Sequence, residues 1–187
     1  MSTTRQQILE TAAGLFAERG YELVGINEII DKAGVAKATF YANFRSKEKL
    51  CADWLQAEAE ESGAEDRRLL QEPGDALEKI YSKFRALQNY VKNSDFRGCP
   101  FSITASMLCS SSAVREVIRE YKANSRAFWQ SLALELRRDP GAARTLGDAL
   151  FLLYSGATAE AQNARHAWPV DSALEAVRIL CGNPVPV

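Results

Sequence analysis

Apolar residues recur at steps of three and four positions along almost the whole chain. The clearest stripe, near the start, consists of Ile8, Leu9, Ala12, Ala13 and Phe16. This spacing places apolar side chains on one face of an α-helix, and no alternating run rich in Val, Ile or Thr predicts a strand. The sequence therefore predicts an all-α fold of about nine helices. They are a first helix that ends before Gly20, then residues 26–33, 37–44, 47–70, 75–92, 101–109, 113–138, 142–167 and 170–180.

The second and third predicted helices are too short to stand alone, because isolated helices under about 12 residues are marginal in water. They need the first helix as a platform. We expect their shared core to consist of Phe16, Ile29, Val35 and Phe40. Three short packed helices, with Gly34 between the last two, predict a helix-turn-helix. Ser46 offers an N-cap for a long fourth helix, so we expect two domains, residues 1–46 and residues 47–187.

Composition is that of an ordinary globular chain. Apolar residues make up 47% and charged residues 25% of the 187 positions, which argues against disorder. The longest uncharged stretch, residues 98–114, contains a proline and six Ser or Thr and does not resemble a membrane span. The first residues contain no continuous apolar block of the kind found in secretory signals. We therefore expect a cytoplasmic protein that has no membrane partner.

The thiols and the single imidazole do not form a metal motif. The four cysteines, Cys51, Cys99, Cys109 and Cys181, contain no Cys-x-x-Cys pair, and His166 is the only histidine. We expect no metal site and no cofactor. Widely spaced cysteines in a chain of this length indicate reduced, mostly buried thiols, with a disulfide framework as the alternative.

Charge is distributed unevenly although the net charge is only −1. Residues 32–50 hold five basic residues and one acidic residue, whereas residues 51–80 hold three basic and nine acidic residues. This indicates that a polyanion meets one end of the molecule.

In a helix-turn-helix the second helix enters the DNA major groove, so its outward residues are small or polar. We expect Val35, Phe40 and Phe44 to face inward. The predicted DNA contacts are Ala36, Lys37, Ala38, Thr39, Tyr41, Ala42, Asn43 and Lys47. Among them, hydroxyl and ammonium groups suit phosphate oxygens, and an exposed Asn43 suits adenine. A core position for the Tyr41 ring is the alternative.

A longer motif runs through residues 5–50. Its matching positions are Ala12-x3-Phe16-x3-Gly20-Tyr21 and Ile29-x3-Ala33-Gly34-Val35-x3-Thr39-Phe40-Tyr41-x2-Phe44-x2-Lys47-Glu48-x-Leu50. This spacing resembles the N-terminal signature of TetR-family transcriptional regulators. The resemblance implies a homodimer that binds a pseudo-palindromic operator in double-stranded DNA, most often as a repressor, and releases it when a small-molecule effector occupies the C-terminal domain.

The sequence departs from the family pattern at four positions. Members usually have Ser or Thr where Gly25 and Ala36 stand, Gly where Ala38 stands, and an aromatic residue or His where Asn43 stands. Losing the hydroxyls weakens phosphate anchoring. We therefore expect an operator sequence particular to this protein.

The C-terminal residues suggest an effector pocket and a dimer interface. Arg97 to Phe101 is similar to an Arg-Gly-Cys-Pro-Phe element of some TetR-family members, at the start of the sixth helix. Predicted pocket residues are Trp54, Phe84, Cys99, Phe101, Met107, Tyr121 and Phe128. Predicted interface residues, from the last two helices, are Leu146, Leu150, Leu153, Tyr154, Ala157, Leu174 and Val177. The alternative for both sets is packing within one chain.

Two other functions remain open. In the first, the fold is the same but Cys99 or Cys109 senses oxidants or electrophiles, because a thiol at a helix N-terminus can be reactive. In the second, the chain is a small helical enzyme with Cys99 as nucleophile and His166 as base, although nothing in the spacing pairs them. We expect a regulator and not an enzyme.

Overall fold

The computed structural model describes residues 3–107 and 112–182, and within these ranges the chain forms nine α-helices and no strand. They are α1 (Thr3–Arg19), α2 (Ile26–Lys32), α3 (Lys37–Asn43), α4 (Lys47–Gln71), α5 (Ala76–Asn93), α6 (Pro100–Met107), α7 (Ser112–Leu136), α8 (Pro140–Ala164) and α9 (Trp168–Gly182). The predicted all-α fold is confirmed. The predicted end of the sixth helix at Cys109 lies outside the described residues. No helix in the described ranges is long and apolar enough to cross a membrane.

The ends of α8 differ from the prediction, and both differences have a local cause. The helix begins at Pro140, because proline lacks the N–H that would have no partner in a first turn. The Asp139 side chain caps it by accepting from the Ala142 N–H at 2.7 Å. The helix ends at Ala164, because Arg165 takes a left-handed conformation with φ +48°.

The chain divides into two compact units. Unit 1 comprises the described residues of Met1–Ser62 and Cys99–Tyr121. Its largest fully buried side chains are Ile8, Val24, Ile29, Phe40, Phe44, Leu50 and Leu55. Three residues of the predicted shared core, Phe16, Ile29 and Phe40, are buried as expected, and Val35 packs against the core while half-buried. The first half of α4 therefore packs with the helix-turn-helix in one core.

Unit 2 comprises Gly63–Gly98 and the described residues of Lys122–Val187. At its centre the rings of Phe84, Trp129 and Tyr154 contact one another, with centroids 5.3–5.4 Å apart. Gly147 brings α8 close to α7, since a Cβ atom at this position would lie 2.6 Å from the Gln130 Cα. The two helices are also joined by the Arg126–Asp148 ion pair at 2.5 Å.

The predicted domains, residues 1–46 and 47–187, separate DNA binding from effector binding and dimerisation. The two units are defined instead by which residues pack together. The unit boundaries fall within α4 and α7. The functional division stays a prediction.

Candidate nucleic-acid interface

A tight turn joins α2 to α3. Gly34 has φ +62°, a left-handed conformation that glycine adopts without steric cost. The backbone N–H of Ala33 donates to the Ile29 carbonyl at 2.8 Å, and that of Val35 donates to the Ile30 carbonyl at 3.2 Å. These bonds end α2 and redirect the chain into α3, which gives the predicted helix-turn-helix.

Two phenylalanines hold the inner face of α3. Phe40 and Phe44 are buried, and their ring centroids lie 6.1 Å apart. Full burial of each ring contributes about 1.5–3 kcal/mol. The Arg5 guanidinium lies 4.7 Å from the centroid of the Phe44 ring, which adds a contact from α1. The inward set is thus placed as predicted, with Val35 only half-buried.

The opposite face of α3 carries most of the predicted DNA contacts. The residues exposed to solvent are Ala36, Lys37, Ala38, Tyr41 and Ala42. Tyr41 is 44% exposed, with its ring nearly perpendicular to that of Phe40, so it is not a core aromatic. Thr39 is half-buried. The helix therefore offers small and polar groups at its surface.

Asn43 differs from the expectation that it would be exposed. It is half-buried at the last position of α3, and its Nδ2 donates to the Thr39 carbonyl at 2.8 Å. A short amide side chain readily bonds to the carbonyl four residues back. This bond uses one of the two Nδ2 N–H groups and restricts the orientation of the amide that a contact with adenine would use.

Lys47 begins α4 immediately after its capping residue. The Ser46 hydroxyl accepts from the Lys49 N–H at 3.0 Å, as expected of an N-cap. The Lys47 Nζ lies 4.0 Å from the centroid of the Tyr21 ring. Burial lowers the pKa of Lys47, and the nearby Glu22 and Cys51 oppose that shift.

The first residues of α2 and α3 receive no bond from a capping side chain. Gly25 and Ala36 are the N-cap residues, with extended backbones at φ −84°, ψ 151° and φ −69°, ψ 149°. Glycine has no side chain and alanine has only a methyl group, so neither residue can accept a side-chain hydrogen bond from a backbone N–H of the helix. These are two of the positions where the sequence departs from the family pattern.

Several basic residues lie around α3, and two of them form ion pairs with one carboxylate. Lys32, Lys37 and Arg45 are exposed. Lys49 pairs with Asp53 at 2.5 Å, and Arg5 pairs with the same carboxylate at 2.6 Å. Lys49 is itself exposed, so the exposed basic residues extend from the end of α2 to the first turn of α4.

The predicted effector residues fall into both units. In unit 1, Trp54 and Phe101 are buried, Cys99 and Tyr121 are half-buried, and the Phe101 and Tyr121 rings are stacked with centroids 3.6 Å apart. In unit 2, Phe84 and Phe128 are buried against Trp129. The side chain of Met107 lies outside the described part of the structure.

Sequence reasoning missed two polar groups in unit 1. The Trp54 Nε1 donates to the Glu58 carboxylate at 3.0 Å, and burial raises the pKa of Glu58. The Thr104 hydroxyl group belongs to a buried residue of α6. The sequence does hold a signal for the first pair. Trp54 and Glu58 are four positions apart, and residues at this spacing are neighbours on a helix.

Most predicted dimer residues are buried within unit 2. Leu146, Leu150, Ala157 and Val177 belong to its core, which leaves their side chains little surface for a partner. Leu153, Tyr154 and Leu174 are half-buried. The large apolar residues exposed on these helices are instead Leu152 on α8 and Trp168 and Ile179 on α9, which are 66%, 52% and 64% exposed.

The described thiols and His166 show no arrangement for metal binding. No three His, Cys, Asp or Glu side chains converge within residues 3–107 and 112–182. Burial raises the pKa of Cys51 to about 12, so this thiol is neutral. His166 is exposed and its Nδ1 accepts from the Trp168 N–H at 3.0 Å, while Cys99 belongs to the other unit.

Comparisons with known proteins agree with this geometry. The sequence profile of the bacterial regulatory proteins of the tetR family matches residues 8–53. The transcriptional repressor NemR of Escherichia coli is 25% identical over 189 residues, which cover 97% of this chain and 95% of the relative. The crystal structure of its reduced form matches with a TM-score of 0.83 over 98% of this chain and 100% of that one.

Two further relatives extend the comparison. The repressor KstR2 of Mycobacterium tuberculosis is 30% identical over 86 residues, 46% of this chain and 43% of its own. A TetR-family regulator from Streptomyces coelicolor shares the fold, with a TM-score of 0.87, 20% identity and coverage of 96% and 94% of the two chains. These relatives are transcriptional regulators and not enzymes. The family match over residues 8–53 and the similarity over nearly the whole chain together support a TetR-family helix-turn-helix transcriptional regulator.

Proposed function

We propose that the protein is a homodimeric repressor that binds a pseudo-palindromic operator in double-stranded DNA and releases it when a small-molecule effector binds. The observation that carries the proposal is α3, whose small and polar side chains are exposed while Phe40 and Phe44 are buried. A helix of this kind can enter the major groove. Repression is supported by the relatives NemR and KstR2, both named as repressors.

The contacts divide into positioning and reading. Thr39, Tyr41 and Lys47 bind phosphates, which fix the register of the protein on the duplex. The methyl groups of Ala36, Ala38 and Ala42 suit contact with the methyl group of thymine, and Lys37 suits guanine. Asn43 donates one of its two amide N–H groups to the Thr39 carbonyl, which restricts the orientation of the amide, so base recognition rests mainly on the earlier residues.

The dimer forms through the outer faces of α8 and α9. Leu152 and Ile179 are large apolar side chains exposed there, and the exposed Gly156 permits close approach of a partner helix. The half-buried Leu153 and Leu174 border this surface, whereas the Tyr154 ring packs inward on Phe84 and Trp129. A twofold axis between such faces places two recognition helices on half-sites roughly 34–36 Å apart.

The effector contacts α4, α6 and the start of α7 in unit 1. Trp54, Cys99, Phe101 and Tyr121 belong to or pack against one core there, and Thr104 adds a hydroxyl, which gives the mixed lining typical of ligand sites. Trp54 and Lys47 lie seven residues apart on α4, about 10 Å along its axis. An effector that displaces α4 at Trp54 therefore also displaces Lys47. It weakens operator binding by its differential affinity for the two conformations.

Selection of duplexes from a randomised library by the purified protein tests the proposal. The expected product is an inverted repeat with half-sites about one helical turn apart, bound by two protomers. Recovery of no enriched sequence, or of an isolated half-site bound by one protomer, would contradict it. Screening small molecules against the selected duplex then tests effector release.

A thiol-sensing version of the same repressor is the second candidate. It is supported by the structure of E. coli NemR, which is described as a reduced form. Cys99 is half-buried immediately before α6, and its carbonyl accepts from the Ile103 N–H at 3.1 Å. Cys109, the other candidate thiol, lies outside the described residues. Peroxide-dependent loss of operator binding that disappears in Cys99→Ser would favour this version over a bound effector.

A further inference from the structure

Lys47 lies where electrostatics disfavours a cation. It is the first residue of α4, and the N–H groups at a helix start carry partial positive charge. Its ammonium nevertheless lies 4.0 Å from the centroid of the Tyr21 ring. The negative face of an aromatic ring attracts a cation at this distance. Tyr21 therefore provides a local attraction that the start of the helix does not.

The Tyr21 ring packs against the aromatic core of unit 1. Gly20 ends α1 with φ +80°, and its N–H donates to the Phe16 carbonyl at 2.9 Å. The ring centroids of Tyr21 and Phe16 lie 5.6 Å apart, and those of Phe16 and Trp54 lie 5.5 Å apart. Because Phe16 and Trp54 are buried, the ring beneath the Lys47 ammonium has a fixed support.

We propose that Tyr21 is a positioning residue for DNA binding, whose ring holds the Lys47 ammonium in the conformation that contacts a DNA phosphate. The inference rests on the proposed function, in which Lys47 binds phosphate. A free lysine side chain loses rotamer freedom when it binds, and this loss lowers affinity. A ring that restricts Lys47 before DNA arrives reduces the loss. Burial raises the pKa of Tyr21 to about 12, so the ring remains a neutral phenol.

A double-mutant cycle on DNA affinity tests the inference. Fluorescence anisotropy with a labelled duplex from the library selection measures Kd for the parent, Tyr21→Leu, Lys47→Gln and the double variant. Tyr21→Leu weakens binding about two- to fivefold in the parent and has no further effect beside Lys47→Gln. Tyr21→Phe, which keeps the ring face, binds like the parent. An equal loss from Tyr21→Leu in both backgrounds would overturn the inference, because the residue would then act only through structure.

A second measurement tests the inference even if Tyr21→Leu fails to fold. Phenylalanine and its pentafluoro analogue, incorporated at position 21, have nearly the same shape, but fluorination removes the negative ring face. The fluorinated protein is expected to bind the duplex about two- to fivefold more weakly, and equal affinity would overturn the inference. If Lys47→Gln alone leaves the affinity and its salt dependence unchanged, the phosphate contact of the proposed function fails instead.

Discussion

Three helix starts near α3 differ in a single side chain. Ser46 caps α4 through its hydroxyl, whereas Gly25 and Ala36 occupy the same position in α2 and α3 and give no side-chain bond. The backbone at Ala36 is already extended, as an N-cap requires. A serine there can therefore accept from the helix without any change in backbone conformation.

We predict that Ala36→Ser raises the free energy of unfolding by about 0.5–2 kcal/mol, because it supplies the missing cap of α3. Gly25→Ser is the matched variant at α2, and it should gain only a few tenths of a kcal/mol, since glycine is itself tolerated at an N-cap. Urea unfolding without DNA measures both. An Ala36→Ser midpoint equal to that of the parent would contradict the prediction.

Cys51 should be unreactive in the folded protein. It is fully buried, and burial raises its pKa to about 12, whereas only a thiolate attacks an alkylating reagent. Iodoacetamide labelling followed by peptide mass spectrometry should modify Cys51 only after unfolding. The half-buried Cys99 provides the comparison. Labelling of native Cys51 at the rate of the denatured chain would refute this burial.

Residue identities indicated the inward and outward sides of α3 but not the local bond of Asn43. A buried phenylalanine and an exposed alanine follow from hydrophobic spacing, which is visible in the sequence. The bond from Asn43 to the Thr39 carbonyl depends on a rotamer, and a free amide suits either DNA or its own helix. The sequence pattern does not distinguish these two partners.

At the scale of elements, α4 carries a carboxyl group, that of Glu58, which binds its proton more tightly than usual. Burial raises the pKa of Glu58 above its ordinary value of 4.5, while the Trp54 N–H opposes this shift. A raised pKa means that the folded state binds the proton more tightly. The stabilisation is fully present below the ordinary pKa and is lost as pH rises through the folded pKa.

Glu58→Gln should therefore raise the thermal midpoint at pH 7, because glutamine avoids burying a charge and still accepts from Trp54. The gain should shrink as the pH falls through the raised pKa of Glu58, because the carboxyl of the parent is then protonated and no charge is buried. Glu65→Gln, at an exposed position of the same helix, is the control and should show little change. A gain for Glu58→Gln that is independent of pH would rule out this origin.

The packing of α8 on α7 depends on Gly147. Gly147→Ala should lower the free energy of unfolding by about 1–3 kcal/mol, since its Cβ would lie 2.6 Å from the backbone of Gln130. Gly14→Ala in α1 is the matched control, because no atom lies within 4 Å of its Cβ and alanine favours helix by about 0.5–1 kcal/mol. Chemical unfolding of both variants at equal concentration gives the comparison. A Gly147→Ala protein as stable as the parent would contradict the prediction, because it would mean that α7 can move away from the added methyl group without cost.

Helix positions were predictable because apolar spacing and breaker residues are local features of the chain. Which partner covers an apolar face is not local. The stripe of Leu146, Leu150 and Ala157 predicted an interface, yet these residues fill the core of unit 2. An apolar stripe indicates that a helix face is buried, but it does not show whether the face packs within the same chain or against a second chain.

For the whole molecule, the proposed dimer places its contacts on the exposed apolar residues of α8 and α9. Leu152→Glu should therefore convert the dimer to a monomer, since a charge in the interface would be buried without a partner. Leu134→Glu is the matched control, because Leu134 is also exposed, at 57%, but lies on α7. Sedimentation velocity measures the mass of each variant. A dimeric Leu152→Glu protein, or an equally monomeric Leu134→Glu protein, would argue against this interface.

The most direct test of the central claim, that α3 and Lys47 bind operator DNA, is an anisotropy titration across a salt series with the selected duplex and a scrambled duplex. The selected duplex should bind more tightly than the scrambled one, with an affinity that falls steeply as salt increases. Tyr41→Ala and Lys47→Ala should weaken binding, and Lys47→Ala should reduce the logarithmic salt slope by about 1. Equal, weak affinity for the two duplexes, unchanged in both variants, would show that α3 and Lys47 do not bind operator DNA.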